Sequence, residues 1–201
     1  MVIDSVVVHE QSAFIKGRSI LDGPIIVSEI ISWAKKTNRK SLIFKIDFEK
    51  AFDTLSWDFL EDVLRGMRFG AKWRAWIKGC LSSASVAVLI NGCPTREFPL
   101  RRGVRQGDPL APLLFILAAE TLNIIMSEAS RKGIFSGIKL PNSGPELSIL
   151  QFADDVLIMG EWSRSNATNL VRLLRCLQLS SGLKVNMQKS NIMGVGLTMM
   201  K

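Results

Sequence analysis

The spacing of hydrophobic residues along the chain predicts an alternation of helices and strands. Apolar residues recur every three or four positions from residue 18 to about residue 36, as in a helix that buries one face. Residues 41–48 form an apolar run that indicates a buried strand, and residues 149–160 read as two strands joined by a turn. The same criteria predict further helices over residues 56–70, 71–82, 110–130 and 165–181.

The order of these elements favours an α+β fold. One strand is predicted on each side of Asn91 and Gly92, a dipeptide typical of a tight hairpin turn. Short strands are also expected over residues 183–196. Residues 1–17 have no regular pattern. We therefore expect an antiparallel sheet that is covered by helices on one side.

The charge balance narrows the choice of partners. The 201 residues include 26 Lys and Arg but only 18 Asp and Glu, which gives a formal net charge of +8. Such an excess is typical of proteins that bind a polyanion such as nucleic acid or an acidic membrane surface, although a merely basic soluble protein is the simpler alternative. We expect no membrane span, because the most apolar run, residues 110–119, is too short to cross a bilayer.

The histidine and cysteine content argues against several kinds of catalytic site. The chain has one histidine, His9, which argues against histidine-based zinc sites and Ser-His-Asp triads. Cys80, Cys93 and Cys176 are scattered, and we expect buried thiols in a reducing compartment rather than disulfides. A metal would then be held mainly by carboxylates and backbone oxygens, which favours Mg²⁺ or Mn²⁺.

Three acidic residues at the ends of apolar strands are the strongest candidates for chemistry. Asp154 and Asp155 lie side by side within residues 149–160, and Asp47 ends the apolar run before it. If the two segments are neighbours in one sheet, the three carboxylates would hold two divalent ions about 4 Å apart, as in two-metal nucleotidyl transfer. The alternative is a turn with solvated acids and a solvent-facing Asp47, which the position of Lys45 two residues earlier supports.

The loop over residues 100–112 is a candidate for binding phosphate or a nucleic-acid backbone. Arg101, Arg102 and Arg105 crowd it, while Gly103 and Gly107 allow close approach of the backbone. The loop leads into a predicted helix, whose N-terminus favours anions. A polar connection with solvated arginines is the alternative.

Taken together and in order, these motifs resemble those of a known polymerase family. The sequences "KIDFEKAFD", "RRGVRQGDPLAPLLFILAAE", "FADD" and "SSGLKVNMQKS" resemble the palm of non-LTR (LINE-type) retrotransposon reverse transcriptases, which are abundant in plant genomes. The segment "QSAFIKGRSILD" is similar to part of the fingers in that family. The resemblance covers nearly the whole chain and implies an RNA-directed DNA polymerase with a palm-like fold, which extends a DNA primer on an RNA template.

The resemblance also implies roles for the acids and their ions. Asp47 and Asp154 match the two metal-binding aspartates of the family, and Asp155 matches the third, less tightly coordinating one. Two Mg²⁺ ions, with Mn²⁺ as a substitute, are the implied cofactors. The arginines Arg101, Arg102 and Arg105 would then contact nucleic acid.

The resemblance also implies that five further residues contact the incoming dNTP. Phe52 matches the bulky side chain that lies against the sugar C2′ and selects deoxynucleotides, and Gln106 and Gly107 match the loop that packs on nucleotide and template. Lys189 matches the basic segment near the triphosphate, and Arg18 matches a phosphate contact from the fingers. The alternatives are a core aromatic for Phe52, which is the commoner role and leaves the sugar contact resting on the motif, a solvated side chain for Lys189, and a cover for the start of its helix for Arg18.

The resemblance further implies an incomplete enzyme. Residues 1–40 correspond to partial fingers and residues 41–201 to the palm, with the thumb, endonuclease and RNase H domains outside this chain. We expect an RNA template, a DNA primer, dNTP and the remaining domains of a longer polyprotein as partners, in the nucleus or cytoplasm. Two alternatives are an inactive relic that at most binds nucleic acid, and an RNA-dependent RNA polymerase, which would usually carry a polar group in place of Phe52.

Overall fold

A four-stranded antiparallel sheet occupies the centre of the computed structural model, which describes residues 2–141 and 144–197. The strands of the described chain are Ser41–Ile46 (β1), Ser85–Val86 (β2), Leu89–Ile90 (β3), Cys93–Pro94 (β4), Phe98–Pro99 (β5), Ile138–Lys139 (β6), Glu146–Leu147 (β7), Ile149–Phe152 (β8), Asp155–Glu161 (β9) and Asn191–Val195 (β10). The central sheet has the order β10-β1-β9-β8, and β2 with β5, β3 with β4 and β6 with β7 form short antiparallel pairs.

The five predicted helices occur in the expected order with shifts at their ends, whereas the short helix α2 and the 3₁₀-helix near the N-terminus were not predicted. They are Asp22–Lys36 (α1), Ala51–Thr54 (α2), Trp57–Gly66 (α3), Ala71–Ser82 (α4), Ala111–Arg131 (α5) and Arg164–Ser181 (α6), and a 3₁₀-helix covers Val2–Ser5. The Ser56 hydroxyl caps α3 by accepting a hydrogen bond from the Phe59 amide at 3.3 Å, and Gly182, at φ +82°, ends α6. The prediction that α3 continues to Gly70 is wrong, because Arg68 adopts a left-handed φ of +63° and breaks the helix.

Both faces of the central sheet are covered, so the prediction of helices on one side only is wrong. Phe44 and Ile46 of β1 face the larger core, which includes much of α5, whereas Ile43 faces a smaller core with Ile30 and Ala34 of α1. Successive strand residues point to opposite faces, and β1 buries Leu42, Phe44 and Ile46 on one face and Ser41 and Ile43 on the other. The strand therefore needs a cover on each side, and α1 supplies the second one.

Helix α5 is the central core helix, although it is also long and apolar enough for a membrane span. By length and composition alone, Ala111–Arg131 qualifies, with a mean hydropathy of 1.4 in its most apolar window. Our expectation that no apolar segment reaches that length is therefore wrong, because it counted only the uninterrupted run of residues 110–119, and the apolar helix continues past Glu120 to Arg131. In the fold, 61% of that window is buried inside the protein.

The burial of the cysteines and of two tryptophans does not follow from residue type alone, and the prediction of buried cysteines is wrong. Cys80, Cys93 and Cys176 are free thiols, as expected, but all three are exposed rather than buried. Trp73 packs half-buried on Phe69 with ring centroids 4.6 Å apart, whereas Trp76 is 60% exposed. The wide apolar stripe of α4 contains more residues than its contact with the core can cover.

A buried polar cluster crosses the core between α5 and β8. The side-chain nitrogen of Asn123 donates to Glu120 Oε2 at 3.2 Å and to Gln151 Oε1 at 2.6 Å. The Val8 amide donates to Glu120 Oε1 at 3.4 Å. Glu120 is only 2% exposed, and burial raises its pKa to about 7 despite these hydrogen bonds.

We predict that Glu120 makes the stability of the protein depend on pH. Because its pKa is higher in the folded protein than the usual 4.5, its stabilising contribution is fully present below about pH 4.5 and is lost as the pH rises through 7. Chemical denaturation should show that the unfolding free energy falls between pH 4.5 and 7.5 by up to roughly 3 kcal/mol more in the wild type than in Glu120→Gln.

The matched control for this prediction is Glu29→Gln, which neutralises an exposed glutamate on α1. It should keep the pH dependence of the wild type. Identical pH dependences for the wild type and Glu120→Gln would contradict the prediction.

Candidate active site

The pairing of β1 with β9 brings the predicted acidic residues to one end of the sheet. Ile46 pairs with Val156, so Asp47 and Asp155 are the next residues on two neighbouring strands, which lie roughly 5 Å apart. Asp154 is the second residue of the two-residue turn that joins β8 to β9. The predicted adjacency of the Asp47 strand and the Asp154–Asp155 hairpin is therefore confirmed.

The backbone of Asp47 is anchored from both directions. Its amide donates to the Ser190 hydroxyl at 3.1 Å, and its carbonyl accepts a hydrogen bond from the Asn186 amide at 2.7 Å. These contacts tie the end of β1 to the turn that precedes β10. The side chain of Asp47 is half-buried, whereas Asp154 and Asp155 are exposed.

Asp155 already has a cationic partner. Its carboxylate lies 3.4 Å from Lys45 Nζ, and the two side chains are 62% and 55% exposed. Such an exposed pair contributes only about 0–1 kcal/mol, so it does not fix the carboxylate in place. Lys45 is exposed, as the alternative of a solvent-facing Asp47 expected, but it also lies beside one of the candidate acids, and Asp47 itself is half-buried.

The donor chemistry of this edge fits a hard divalent cation, but the side chains do not form a closed cage. Three carboxylates at one sheet end are the oxygen ligands that Mg²⁺ and Mn²⁺ prefer. Among the residues that the structure describes, no three His, Cys, Asp or Glu side chains converge closely enough to make a ready metal site. The metal-binding roles of Asp47, Asp154 and Asp155 stay a prediction.

Phe52 lies on the short helix α2, just beyond Asp47 in the chain. Its ring stacks on Phe115 of α5 with centroids 4.5 Å apart and planes inclined by 22°. It is half-buried and packs against the larger core, so it has the packing role of a core aromatic. Its partial exposure leaves room for contact with a ligand, and the predicted sugar contact stays untested.

The loop that carries the candidate arginines is fixed to the segment after Asp47. The amides of Gly103 and Val104 donate to the carbonyls of Leu55 and Phe52, each at 2.7 Å. Gly103 has a φ of +79°, and a Cβ atom there would lie 2.6 Å from the Asp53 carbonyl oxygen. Glycine is therefore required for a close approach to the backbone of α2, and not, as the sequence suggested, for an approach to a ligand.

The predicted binding residues of this loop lie on its outer surface. Arg101, Arg102, Arg105, Gln106 and Gly107 are all exposed. Arg105 contacts Asp108 at 3.5 Å, while Asp108 also accepts a hydrogen bond from the Leu110 amide at 2.9 Å, next to the start of α5. The loop thus presents its positive charge to solvent close to Phe52.

Lys189 and Arg18 differ in how far their side chains are committed to the fold. Lys189 is exposed in the turn before β10, where its amide donates to the side chain of Asn186 at 3.3 Å. The guanidinium of Arg18 donates to the carbonyls of Val7, at 3.0 Å, and of Val8 and Gln11. Arg18 therefore holds the N-terminal segment in place, and its predicted phosphate contact stays untested.

An open cleft of about 910 Å³ unites only some of the candidate residues. It lies between α1, the N-terminal segment and the sheet, and Arg18, Lys45 and Asp155 line it. Asp47, Phe52, Gln106 and Lys189 are not among its lining residues. The structure thus brings Arg18 and Asp155 to a common cleft and leaves the other candidates outside it.

Sequence reasoning missed Gln11. Its side-chain oxygen accepts a hydrogen bond from the Ala153 amide in the turn next to Asp154, and Gln11 is fully buried. The signal was a polar residue inside the "QSAFIKGRSILD" motif, but only the tertiary structure reveals that this motif reaches the β8–β9 turn.

Comparison with known proteins identifies the family. The family model described as reverse transcriptase (RNA-dependent DNA polymerase) matches residues 1–197. The transposon TX1 uncharacterized 149 kDa protein of Xenopus laevis is 28% identical over 193 residues, which cover 94% of this chain and 14% of that protein. The Pol polyprotein of a type-1 retrotransposable element R2 from Popillia japonica is 29% identical over 181 residues, which cover 87% of this chain and 24% of that protein.

A solved structure supports the fold independently. An apo telomerase from Candida tropicalis, truncated from its C-terminal domain, superposes with a TM-score of 0.67 over 95% of this chain and 37% of that chain. At 13% sequence identity this likeness establishes the fold alone, and it agrees with the predicted palm-like α+β architecture.

The chain spans less than a quarter of the length of the two retrotransposon relatives. From the family match over residues 1–197, we conclude that the chain belongs to the reverse transcriptase (RNA-dependent DNA polymerase) family, as its motifs predicted.

Proposed function

We propose that this chain is the catalytic palm, with part of the fingers, of a non-LTR retrotransposon enzyme that copies an RNA template into DNA. The observation that supports this most strongly is the β1–β9 register, since it leaves Asp47 beside the Asp154–Asp155 turn. Three acids from two distant segments of the chain at one sheet end, in a basic protein, favour nucleotidyl transfer over a binding role alone.

In this proposal Asp47 and Asp154 are the principal ligands of two Mg²⁺ ions, and Asp155 is a weaker one. When bound, the ions would favour ionisation of a primer 3′-hydroxyl and stabilise negative charge on the α-phosphate and the leaving pyrophosphate. Without a cation these carboxylates repel one another, so the protein must hold them close together against that repulsion. The exposure of Asp154 and Asp155 leaves them free to turn toward a cation.

The remaining candidates would bind and select the substrates. Phe52 would exclude a ribose 2′-hydroxyl, while Gln106 and Gly107 contact the nucleotide and template. The exposed arginines Arg101, Arg102 and Arg105 would bind backbone phosphates, which makes affinity for nucleic acid strongly salt-dependent. Lys189 would approach the triphosphate from the turn that also anchors Asp47.

The partners of this site are proposed to be an RNA template, a DNA primer and dNTP, together with the remaining domains of a longer polyprotein. The relatives are several times longer than this chain. Because additional domains would supply much of the grip on a template–primer duplex, we expect this chain alone to polymerise poorly. Metal binding is therefore the more direct test of its catalytic centre.

We predict that the protein binds Mn²⁺ in a manner that depends on Asp154. Electron paramagnetic resonance of free Mn²⁺ in a titration measures the dissociation constant, and Asp154→Asn should weaken binding at least tenfold because it removes an anionic ligand. Asp58→Asn removes an exposed carboxylate from the first turn of α3 and should change the constant less than twofold. Equal Mn²⁺ binding by the wild type and Asp154→Asn would favour the inactive relic.

We predict that Phe52→Val increases ribonucleotide incorporation in an active protein that contains this chain. A smaller side chain would accept the 2′-hydroxyl, so the ratio of rNTP to dNTP incorporation in primer extension should rise at least tenfold. The matched control is Phe59→Val, which also removes a half-buried aromatic ring that packs on the core. The ratio, rather than the rate, is the readout because both variants lose packing.

An unchanged ratio in Phe52→Val would remove the sugar contact from the proposal. A wild-type enzyme that prefers rNTP over dNTP would instead support the alternative of an RNA-dependent RNA polymerase.

A further inference from the structure

Gln11 lies in the segment beside the edge strand β8 and contacts the turn that carries Asp154. Its side-chain oxygen accepts hydrogen bonds from the amides of Ala13, at 3.0 Å, and Ala153, at 3.1 Å. Ala153 is the residue immediately before Asp154 and is itself 6% exposed. The contact therefore joins the N-terminal segment to the β8–β9 turn through a single buried acceptor.

The turn that Gln11 contacts is conformationally unusual. Ala153 has a φ of +54°, in the left-handed region that residues other than glycine rarely adopt. A two-residue hairpin turn with positive φ at its first central position normally has glycine there. Alanine is less flexible than glycine, but the left-handed backbone is strained for it. The turn therefore needs contacts from outside to keep this conformation.

Gln11 is itself held in a fixed position. The Gln151 amide donates to the Glu10 carbonyl at 2.8 Å, and the Ser12 amide donates to the Gln151 carbonyl at 3.0 Å, so the segment runs parallel to β8. The Arg18 guanidinium donates to the Gln11 carbonyl from the other side. These contacts fix the backbone of Gln11 in front of the turn.

Packing alone does not explain a glutamine at this position. Gln11 is fully buried, and its side-chain nitrogen has no hydrogen-bond partner among the described residues. A buried amide with one group unpaired is costly, and an apolar side chain of similar shape would avoid that cost. The feature that an apolar side chain cannot reproduce is the acceptor for the Ala13 and Ala153 amides.

We propose that Gln11 is a positioning residue for Asp154, which acts by holding the Ala153 turn in the conformation that directs the Asp154 carboxylate toward the end of β1. This inference rests on the proposed function, because it takes Asp154 as a metal ligand. Residues that orient metal ligands typically change metal affinity 10- to 100-fold when they are removed. Gln11 would thus couple the N-terminal segment to the catalytic turn.

The test compares Mn²⁺ affinity in variants of the whole chain. Gln11→Met removes the acceptor at nearly constant volume and should weaken Mn²⁺ binding about tenfold while circular dichroism stays like that of the wild type. Gln11→Glu keeps an acceptor at the same position and should bind within threefold of the wild type. Ser12→Ala, the matched control, removes the hydroxyl hydrogen bond to the Gln151 carbonyl in the same segment without touching the turn, and should also remain within threefold.

Two results would overturn the proposal. One is a folded Gln11→Met variant that binds Mn²⁺ as tightly as the wild type does. The other is a Gln11→Glu variant that binds no better than Gln11→Met, because the acceptor would then be irrelevant.

Amide hydrogen exchange of Ala153, measured by NMR without metal, separates this inference from the proposed function. Exchange at Ala153 should be much slower than at Asn91, which has a similar φ of +51° in the exposed β3–β4 turn, and should accelerate at least tenfold in Gln11→Met but not in Ser12→Ala. If the wild type binds no Mn²⁺ through Asp154, the proposed function fails, yet Ala153 exchange still tests the Gln11 contact. Should Gln11→Met not fold, exchange at Ala153 in the wild type as fast as at Asn91 contradicts the inference.

Discussion

The antiparallel pairing of β1 with β9 is the constraint on which the candidate active site depends. Asp47 lies more than one hundred residues before Asp154 in the chain, and only this register brings both to the same end of the sheet. A slip of one residue would turn Leu42, Phe44 and Ile46 away from the larger core and carry Lys45 into it, so the difference between the two faces of β1 fixes the register strongly. Burial of the β1 side chains thereby determines where the acids lie.

Polar groups that cost stability are concentrated beside the same hairpin. Glu120 and Asn123 lie under β8, Gln11 contacts the turn, and Ala153 has a left-handed backbone. A protein selected for stability alone would replace several of these features by apolar side chains and a glycine. Gln11 contacts the turn directly, and Asn123 reaches the hairpin through Gln151 of β8, so these groups are joined to one strand of the hairpin.

The sequence predicted best what depends on local pattern. Helix α4 was predicted at its observed bounds, and the β8–β9 hairpin followed from an apolar run interrupted by two acids. The motifs around Asp47, Gly103 and Asp154 identified the family. What could not be predicted depends on tertiary partners: α1 covers the second face of β1, Trp76 faces solvent, and Gln11 reaches Ala153 across 142 residues of sequence. Hydrophobic spacing contains no information about which of several apolar stripes a neighbour will cover.

The most direct test of the central claim is a crystal structure of the protein soaked with Mn²⁺ and measured at a wavelength where manganese scatters anomalously. The account predicts anomalous peaks at the end of β1, within about 2.0–2.4 Å of carboxylate oxygens from both Asp47 and Asp154. Peaks only at other surface acids, or an Asp47 carboxylate directed away from the β8–β9 turn in the soaked crystal, would contradict it.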